Sequence, residues 1–304
     1  MGKEKSWTVE KADGSVVVGV DGPSRSRTAL GWAAMEAADR HVELVILHAM
    51  GVPYVSEPFH GPVRASSIPE ATGESDGLLT TYAHLADLIR PGLAVRTETS
   101  ETKPSEALIA ASQRAMLVVV GSPRPGELRS PLREAVSLSV CAYATCPVVV
   151  VPSEVSLERG GHLVVGVDGS PESDVALRFA LEEAALRGSR LTALYVLPSS
   201  EEAGVVTLDP AGTQVLLRHA ERQVHRMLDE ARTEDTERVM VRVLALTKRS
   251  HPADALLDAA RAADMIVVGS RGMGGFRGLL LGSVSQRLLR RSHIPVVVAH
   301  GSSM

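Results

Sequence analysis

Apolar residues in this chain gather in short unbroken runs, each closed by glycine or Asp-Gly. Ser15–Val20 ends in Asp21-Gly22, and Leu117–Val120 ends in Gly121. His162–Val167 ends in Asp168-Gly169, and Met265–Val268 ends in Gly269. Runs that are apolar at every position predict strands buried on both faces, as in a parallel sheet. Between them the spacing turns helical. Residues 24–40 place Leu30, Ala33, Ala34 and Ala37 on one face, and Val42–Leu47 follows as a strand. A helix is predicted near Ser75–Ile89, a strand near Ala94–Thr99, and a helix from Pro104, where proline suits the first helical position. A helix near Pro131–Tyr143 and a strand over Pro147–Val151 complete this half. Ala49–Gly73 carries Pro53, Pro58, Pro62 and Pro69, shows no period, and is predicted to be a mobile loop.

The same order then repeats. Asp21 and Asp168 stand 147 residues apart, and Gly121 and Gly269 stand 148 apart. Pro104 with Pro252 and Pro147 with Pro295 give 148 again. A constant offset over the whole length marks an internal duplication. The boundaries are 1–152 and 162–304, joined by the polar linker Ser153–Gly161. Each half reads β-α-β-α-β-α-β-α-β. With right-handed crossovers this is an α/β, doubly wound, five-stranded parallel-sheet fold, twice over. Ligands of such sheets sit beyond the carboxyl ends of the strands, where Asp168 and Gly269 both fall.

Composition narrows the partners. Of 304 residues, 44% are hydrophobic and 22% charged, as in a soluble globular protein. Aromatics make up only 3%, so the cores must be aliphatic. A net charge of −4 without a basic run argues against nucleic acid or an anionic membrane surface as partner. Cys141 and Cys146 have no zinc-site spacing, and a reduced cytoplasmic setting is expected. No membrane span or signal peptide is read. The absence of Asn and the excess of Arg over Lys suggest GC-rich bacterial coding.

The chemistry concentrates in Gly269–Ser283. This glycine-rich stretch lies between a buried strand and a helical pattern from Val284 to Arg291. Free backbone N–H groups and a helix N-terminus at one point bind phosphate. Gly269 and Gly272 let backbone approach a ligand, and Gly278 and Gly282 permit a sharp re-entry to the helix. Ser283 with Gln286 reads as a capping box. The same residues also fit a plain surface loop with an ordinary cap, but their position between strand and helix favours phosphate. Neither a P-loop nor G-x-G-x-x-G is present. Asp168 serves either as a helix-entry residue before Ser170-Pro171 or as a ligand contact. His48, the His219/His225 pair, Cys141 and Arg277 read more simply as structural or solvated residues.

Gly269-x2-Gly272-x9-Gly282-Ser283 resembles the nucleotide loop of the ATP-binding branch of the universal stress protein (UspA-like) family. Val167-Asp168-Gly169-Ser170-Pro171 is similar to that family's opening motif, and Asp21-Gly22-Pro23 to a first-half copy. The resemblance covers nearly the whole chain, as a tandem member. It implies strand order 3-2-1-4-5 and ATP in the crevice. Val167, Asp168, Gly169 and Val196 would stand at the adenosine end. Val268, Gly269, Arg271, Gly272, Gly282, Ser283, Val284 and Ser285 would line ribose and phosphates. Any Mg2+ would sit on the phosphates rather than on protein ligands. The family pairing of last strands implies an intramolecular pseudo-dimer of the two halves, through Pro147–Val151 and Pro295–Ala299, with a homodimer of whole chains also open.

The first half departs from this motif. Gly121 is kept, but Arg124 replaces the second glycine, and Glu134 and Ala135 stand where Gly282 and Ser283 do. Pro123 and Pro125 remove donors, and Ser130-Pro131 can start the helix early. Arg124 could still attract phosphate by charge, yet a carboxylate at the cradle repels it, so one occupied site per chain is expected. The function that follows is ATP-binding regulation of a stress response. No residue stands out as a general base and no acidic metal cage is read, so any hydrolysis should be slow. The rivals are a slow ATPase or nucleotidyl-transfer enzyme on the same crevice, and a nucleotide-free interaction scaffold.

Overall fold

The unbroken valine runs become the inner strands of one ten-stranded sheet in the computed structural model of the chain. The structure describes residues 14–22, 26–51, 54–57, 61–64, 68–123, 131–153, 155–158, 160–198, 209–248, 251–273 and 280–300. Features expected at Pro23, Pro53, Pro58, Arg124, Pro125, Ser130, Arg277 and Gly278 lie outside these residues.

The first half contains β1 (Ser15–Val20), α1 (Arg27–Asp39), β2 (Leu44–Ala49), β3 (Tyr54–Glu57), β4 (Gly61–Arg64), α2 (Ile68–Ile89), β5 (Val95–Ser100), α3 (Pro104–Ser112), β6 (Ala115–Ser122), α4 (Pro131–Tyr143) and β7 (Val148–Pro152). The second contains β8 (His162–Val167), α5 (Pro171–Arg187), β9 (Arg190–Pro198), α6 (Pro210–Ala231), β10 (Val241–Lys248), α7 (Pro252–Ala259), β11 (Met265–Gly269), α8 (Ser283–Arg291) and β12 (Val296–Ala299). The sheet order is β10-β9-β8-β11-β12-β7-β6-β1-β2-β5. Each half is therefore a five-stranded parallel sheet of order 3-2-1-4-5, as the family resemblance implied.

The halves join where their last strands meet. β12 and β7 pair antiparallel, with Val297 opposite Val149. Both strands are buried at every position. Two apolar edges that would otherwise be open to solvent close one another. The true edges behave differently: no position of β5 is buried, each being half-buried or exposed, as an edge strand open to solvent allows.

The hydrophobic core follows the same logic. One cluster runs through both halves under α1 and α5, joining Val16, Leu30, Leu117, Leu163, Leu177 and Met265. The opposite face divides into a first-half cluster around Val118 and Val140 and a second-half cluster around Val164 and Leu256. At about 1.5–3 kcal/mol for each large aliphatic side chain removed from water, these layers hold the sheet that positions the site.

Between α1 and α5 lies a buried quartet of charges. Arg40 contacts Glu36 and Glu183, and Arg187 contacts Glu183 and Glu36. Both carboxylates are fully buried. Glu183 and Arg187 stand 147 residues after Glu36 and Arg40, so the quartet repeats the duplication about a pseudo-two-fold axis. The ring partners repeat it too. Arg187 lies 5.1 Å from the Trp32 ring centroid and Arg40 lies 5.9 Å from that of Phe179. Burial pushes the Glu183 carboxyl up, but the two guanidiniums outweigh that and hold it below its ordinary range.

Two expectations change here. The stretch 49–73 contains the hairpin β3–β4, and α2 begins at Ile68, earlier than the predicted Ser75. Prolines mislead for a local reason. An isolated two-stranded ribbon is all edge and accepts Pro62, and Pro69 sits in the first turn of α2, where its missing N–H costs nothing. α1 is also shorter than predicted, starting at Arg27, because Ser26 turns back: its Oγ donates to Asp21 Oδ1 at 2.9 Å and accepts the Asp21 N–H at 3.1 Å.

Candidate functional site

β8 and β11 are neighbours in the sheet, and the chain leaves them in opposite directions. Their carboxyl ends therefore frame the switch-point crevice of the second half. A cavity of about 700 Å³ fills it, within the range of small-molecule sites. Val167, Asp168, Val196, Val268, Gly269, Arg271, Gly272, Gly282, Ser283, Val284 and Ser285 all line it. Gly169 does not. With φ at +88° it turns the chain from β8 toward α5, and its N–H reaches Ser173 Oγ at 3.2 Å.

Asp168 performs the helix-entry task and also ties the strand end to the loop. Its Oδ1 accepts Ser170 N–H at 3.0 Å and Ser170 Oγ–H at 2.6 Å, and Ser170 in turn caps α5 by accepting Ser173 N–H. Its Oδ2 accepts the Met273 N–H at 2.9 Å, tying the strand end to the glycine-rich loop. The two loop glycines are needed sterically. A Cβ on Gly272 would collide with Asp168 Oδ2, and one on Gly269 would lie 2.6 Å from the Glu172 carbonyl oxygen.

The start of α8 forms the floor of the cradle. Gly282 donates to Ser270 O at 2.8 Å, and Ser285 Oγ donates to Gly269 O at 2.8 Å, pinning the helix to the end of β11. The first intrahelical donor is Gln286, bonded to Gly282 O at 3.0 Å. The N–H groups of Ser283, Val284 and Ser285 thus lie ahead of the helical ladder, at the positive end of the dipole. No acidic residue occupies this first turn, and Arg290 and Arg291 stand in the last.

The expected Ser283–Gln286 capping box is not formed. Gly282 is the N-cap, in extended conformation, and Ser283 is already helical. Gln286 Nε2 donates to Leu281 O at 2.8 Å instead. The bond from Gly282 N–H to Ser270 O fixes the helix start one residue earlier than the serine would. This leaves the Ser283 side chain on the cavity wall.

Arg271 pairs with Glu172 at 2.9 Å at the mouth of the cavity. Sequence reasoning missed Tyr195 and His251, which line the other end with Leu194, Pro252 and Leu256. Burial and then the charge of Asp168 hold the Tyr195 phenol above its ordinary value. His251 caps α7, its Nδ1 accepting the Ala253 N–H at 3.2 Å. A signal for His251 was present: it precedes Pro252 as Ser170 precedes Pro171. None of the remaining described candidates lines this cavity. His48 Nδ1 donates to Val20 O at 2.8 Å. Cys141 and Cys146 are buried, and burial pushes the Cys146 thiol up to about 12. His219 and His225 are exposed on α6.

In the first half, Glu134 occupies the first turn of α4, at the position equivalent to Gly282. Its carboxylate pairs with Arg290 of α8 at 2.7 Å.

A tandem, doubly wound α/β protein with a ligand-sized crevice at one switch point is the class that this fold and cavity define. The chain belongs to the universal stress protein family, which it matches over residues 14–152 and again over 161–300. It is 35% identical over 289 residues to a universal stress protein of Mycolicibacterium smegmatis, covering 93% of this chain and 96% of that one. A universal stress protein of Mycobacterium tuberculosis is 31% identical over 298 residues, covering 94% and 97%. Among solved structures, a universal stress protein from Archaeoglobus fulgidus superposes with a TM-score of 0.69 at 20% identity, over 96% of this chain and 97% of the other.

Proposed function

We propose that this universal stress protein binds ATP in the crevice of its second half and acts as a nucleotide-responsive regulator in the cytoplasm. The observation that carries the reading is one cavity with two chemically distinct ends. At one end, Val196, Leu194 and Leu256 offer an apolar slot suited to a purine. At the other, Gly269, Gly272 and the first turn of α8, Ser283 to Ser285, line the wall, and a helix N-terminus beside glycines suits a polyphosphate. Arg271 adds a cation at the mouth, and Asp168 presents a carboxylate between the two ends, suited to a ribose hydroxyl.

Among the described residues no group of three His, Cys, Asp or Glu side chains converges to hold a metal ion. In this reading Mg2+ is carried by the phosphate oxygens. Nucleotide binding favours one conformational state and stabilises it by mass action. Slow hydrolysis is compatible with this role. The division of labour between residues 1–152 and 162–304 belongs to the same proposal: Glu134 opposes phosphate in the first half, so one nucleotide is held per chain.

Calorimetric titration of the purified protein with MgATP tests this, together with an ultraviolet spectrum for co-purified adenine nucleotide. The expected result is saturation at one ATP per chain. Absence of binding at millimolar MgATP would overturn the reading, and two equivalents would overturn its asymmetry.

A further inference from the structure

Leu281 immediately precedes the Gly282–Ser283 cradle, yet its side chain does not join the second half's own cluster. It is 4% exposed and packs in the cluster built mainly by the first half, with Val140, Cys141, Val148 and Val150. A further contact from α8 ends on the same helix, α4: Arg290, in the last turn of α8, pairs with Glu134 in the first turn of α4. α4 and α8 are equivalent helices of the duplication, so the helix whose own cradle is degraded lies against the cradle that is intact.

On the basis of the nucleotide reading above, we propose that α4 of the first half is a positioning element for the phosphate cradle of the second, acting through Leu281 and Glu134. Ordering a segment on ligand binding costs free energy. Burying Leu281 in the neighbouring half anchors the chain one residue before the cradle begins. The Glu134–Arg290 pair holds α8 from its far end. The carboxylate that bars phosphate from the first half thereby supports phosphate binding in the second. Its pairing with Arg290 also limits the negative field it casts on the neighbouring site. Leu281 and Glu134 need not touch nucleotide in this arrangement. They act through the geometry of Gly282–Ser285.

The experiment uses the full chain with Leu281→Ala, Glu134→Gln and the charge swap Glu134→Arg/Arg290→Glu. Backbone hydrogen exchange at residues 282–286 is measured without ligand, and MgATP affinity by calorimetry. Leu281→Ala should speed exchange at 282–286 and weaken MgATP by about tenfold, within the usual span of coupling between sites. Glu134→Gln should act in the same direction by about threefold, and the swap should recover most of that loss, which mere loss of packing would not. Unchanged exchange at 282–286 in both Leu281→Ala and Glu134→Gln would overturn the proposal, as would wild-type MgATP affinity in both. If the wild-type chain binds no MgATP, the nucleotide reading falls, and the ligand-free exchange decides the bracing by itself.

Discussion

Asp168 and Met273 are separated by 105 residues, yet Asp168 Oδ2 accepts the Met273 N–H at 2.9 Å. That single bond closes the crevice between the end of β8 and the glycine-rich loop. It exists because residue 272 has no side chain, since a Cβ there would occupy the space of the carboxylate. Gly272→Ala should push Asp168 off Met273 and lose a hydrogen bond to a charged group, about 1.5–3 kcal/mol. MgATP titration should register this as at least a tenfold loss. Wild-type affinity would mean that the bond does not shape the site.

Gly282→Glu copies the first half's Glu134 into the intact cradle. The backbone at Gly282 has φ −71° and ψ 158°, which any residue adopts, and a Cβ meets its nearest neighbour at 3.4 Å. The fold should therefore tolerate the change, with a thermal midpoint within about 2 °C of the parent. The new carboxylate faces the phosphate position and should abolish MgATP binding. Undiminished affinity would show that the phosphates lie elsewhere.

The buried quartet between α1 and α5 should tolerate whole replacement better than partial loss. Glu36→Ala leaves Arg40 and Arg187 in the interior with one carboxylate between them, and should cost about 3–5 kcal/mol in urea unfolding. Replacing Glu36, Arg40, Glu183 and Arg187 together by Leu or Met should restore most of that. A quadruple variant less stable than Glu36→Ala would contradict this account.

His300 gives the protein an acid-sensitive element. Burial pushes its imidazole down to about 4, aided by the charge of Arg271 and opposed by the hydrogen bond at Cys141. In the unfolded chain it titrates near about 6.5. The unfolded state therefore takes up this proton first as pH falls. The stability contribution is complete above about pH 6.5 and declines toward pH 4, by at most about 3 kcal/mol. Urea midpoints at pH 7.5, 5.5 and 4.5 should fall more steeply in the wild-type chain than in His300→Gln. Parallel lines would remove His300 from the explanation.

Strand ends followed by glycine are a one-dimensional signal, and they located the crevice. Of the twelve ligand residues that the family resemblance implies, eleven line one cavity. Tyr195 and His251 were missed because each reaches the crevice only when β9 and α7 are set beside β8. The Ser283 cap was misread because the competing bond, Gly282 N–H to Ser270 O, spans a loop whose closure the sequence does not display.

By itself the sequence determined the duplication, the alternation of strands and helices and the place of the cradle, since burial on both faces and turn chemistry are written residue by residue; the strand order came from the family resemblance. The tertiary structure decided what depends on the meeting of distant segments. It paired Val149 with Val297 and set Glu36 against Arg187. It also placed Leu281 in the first half's core and turned Glu134 toward Arg290. A carboxylate or a leucine carries no mark of its partner. Only the packing of two related halves about a shared axis supplies one.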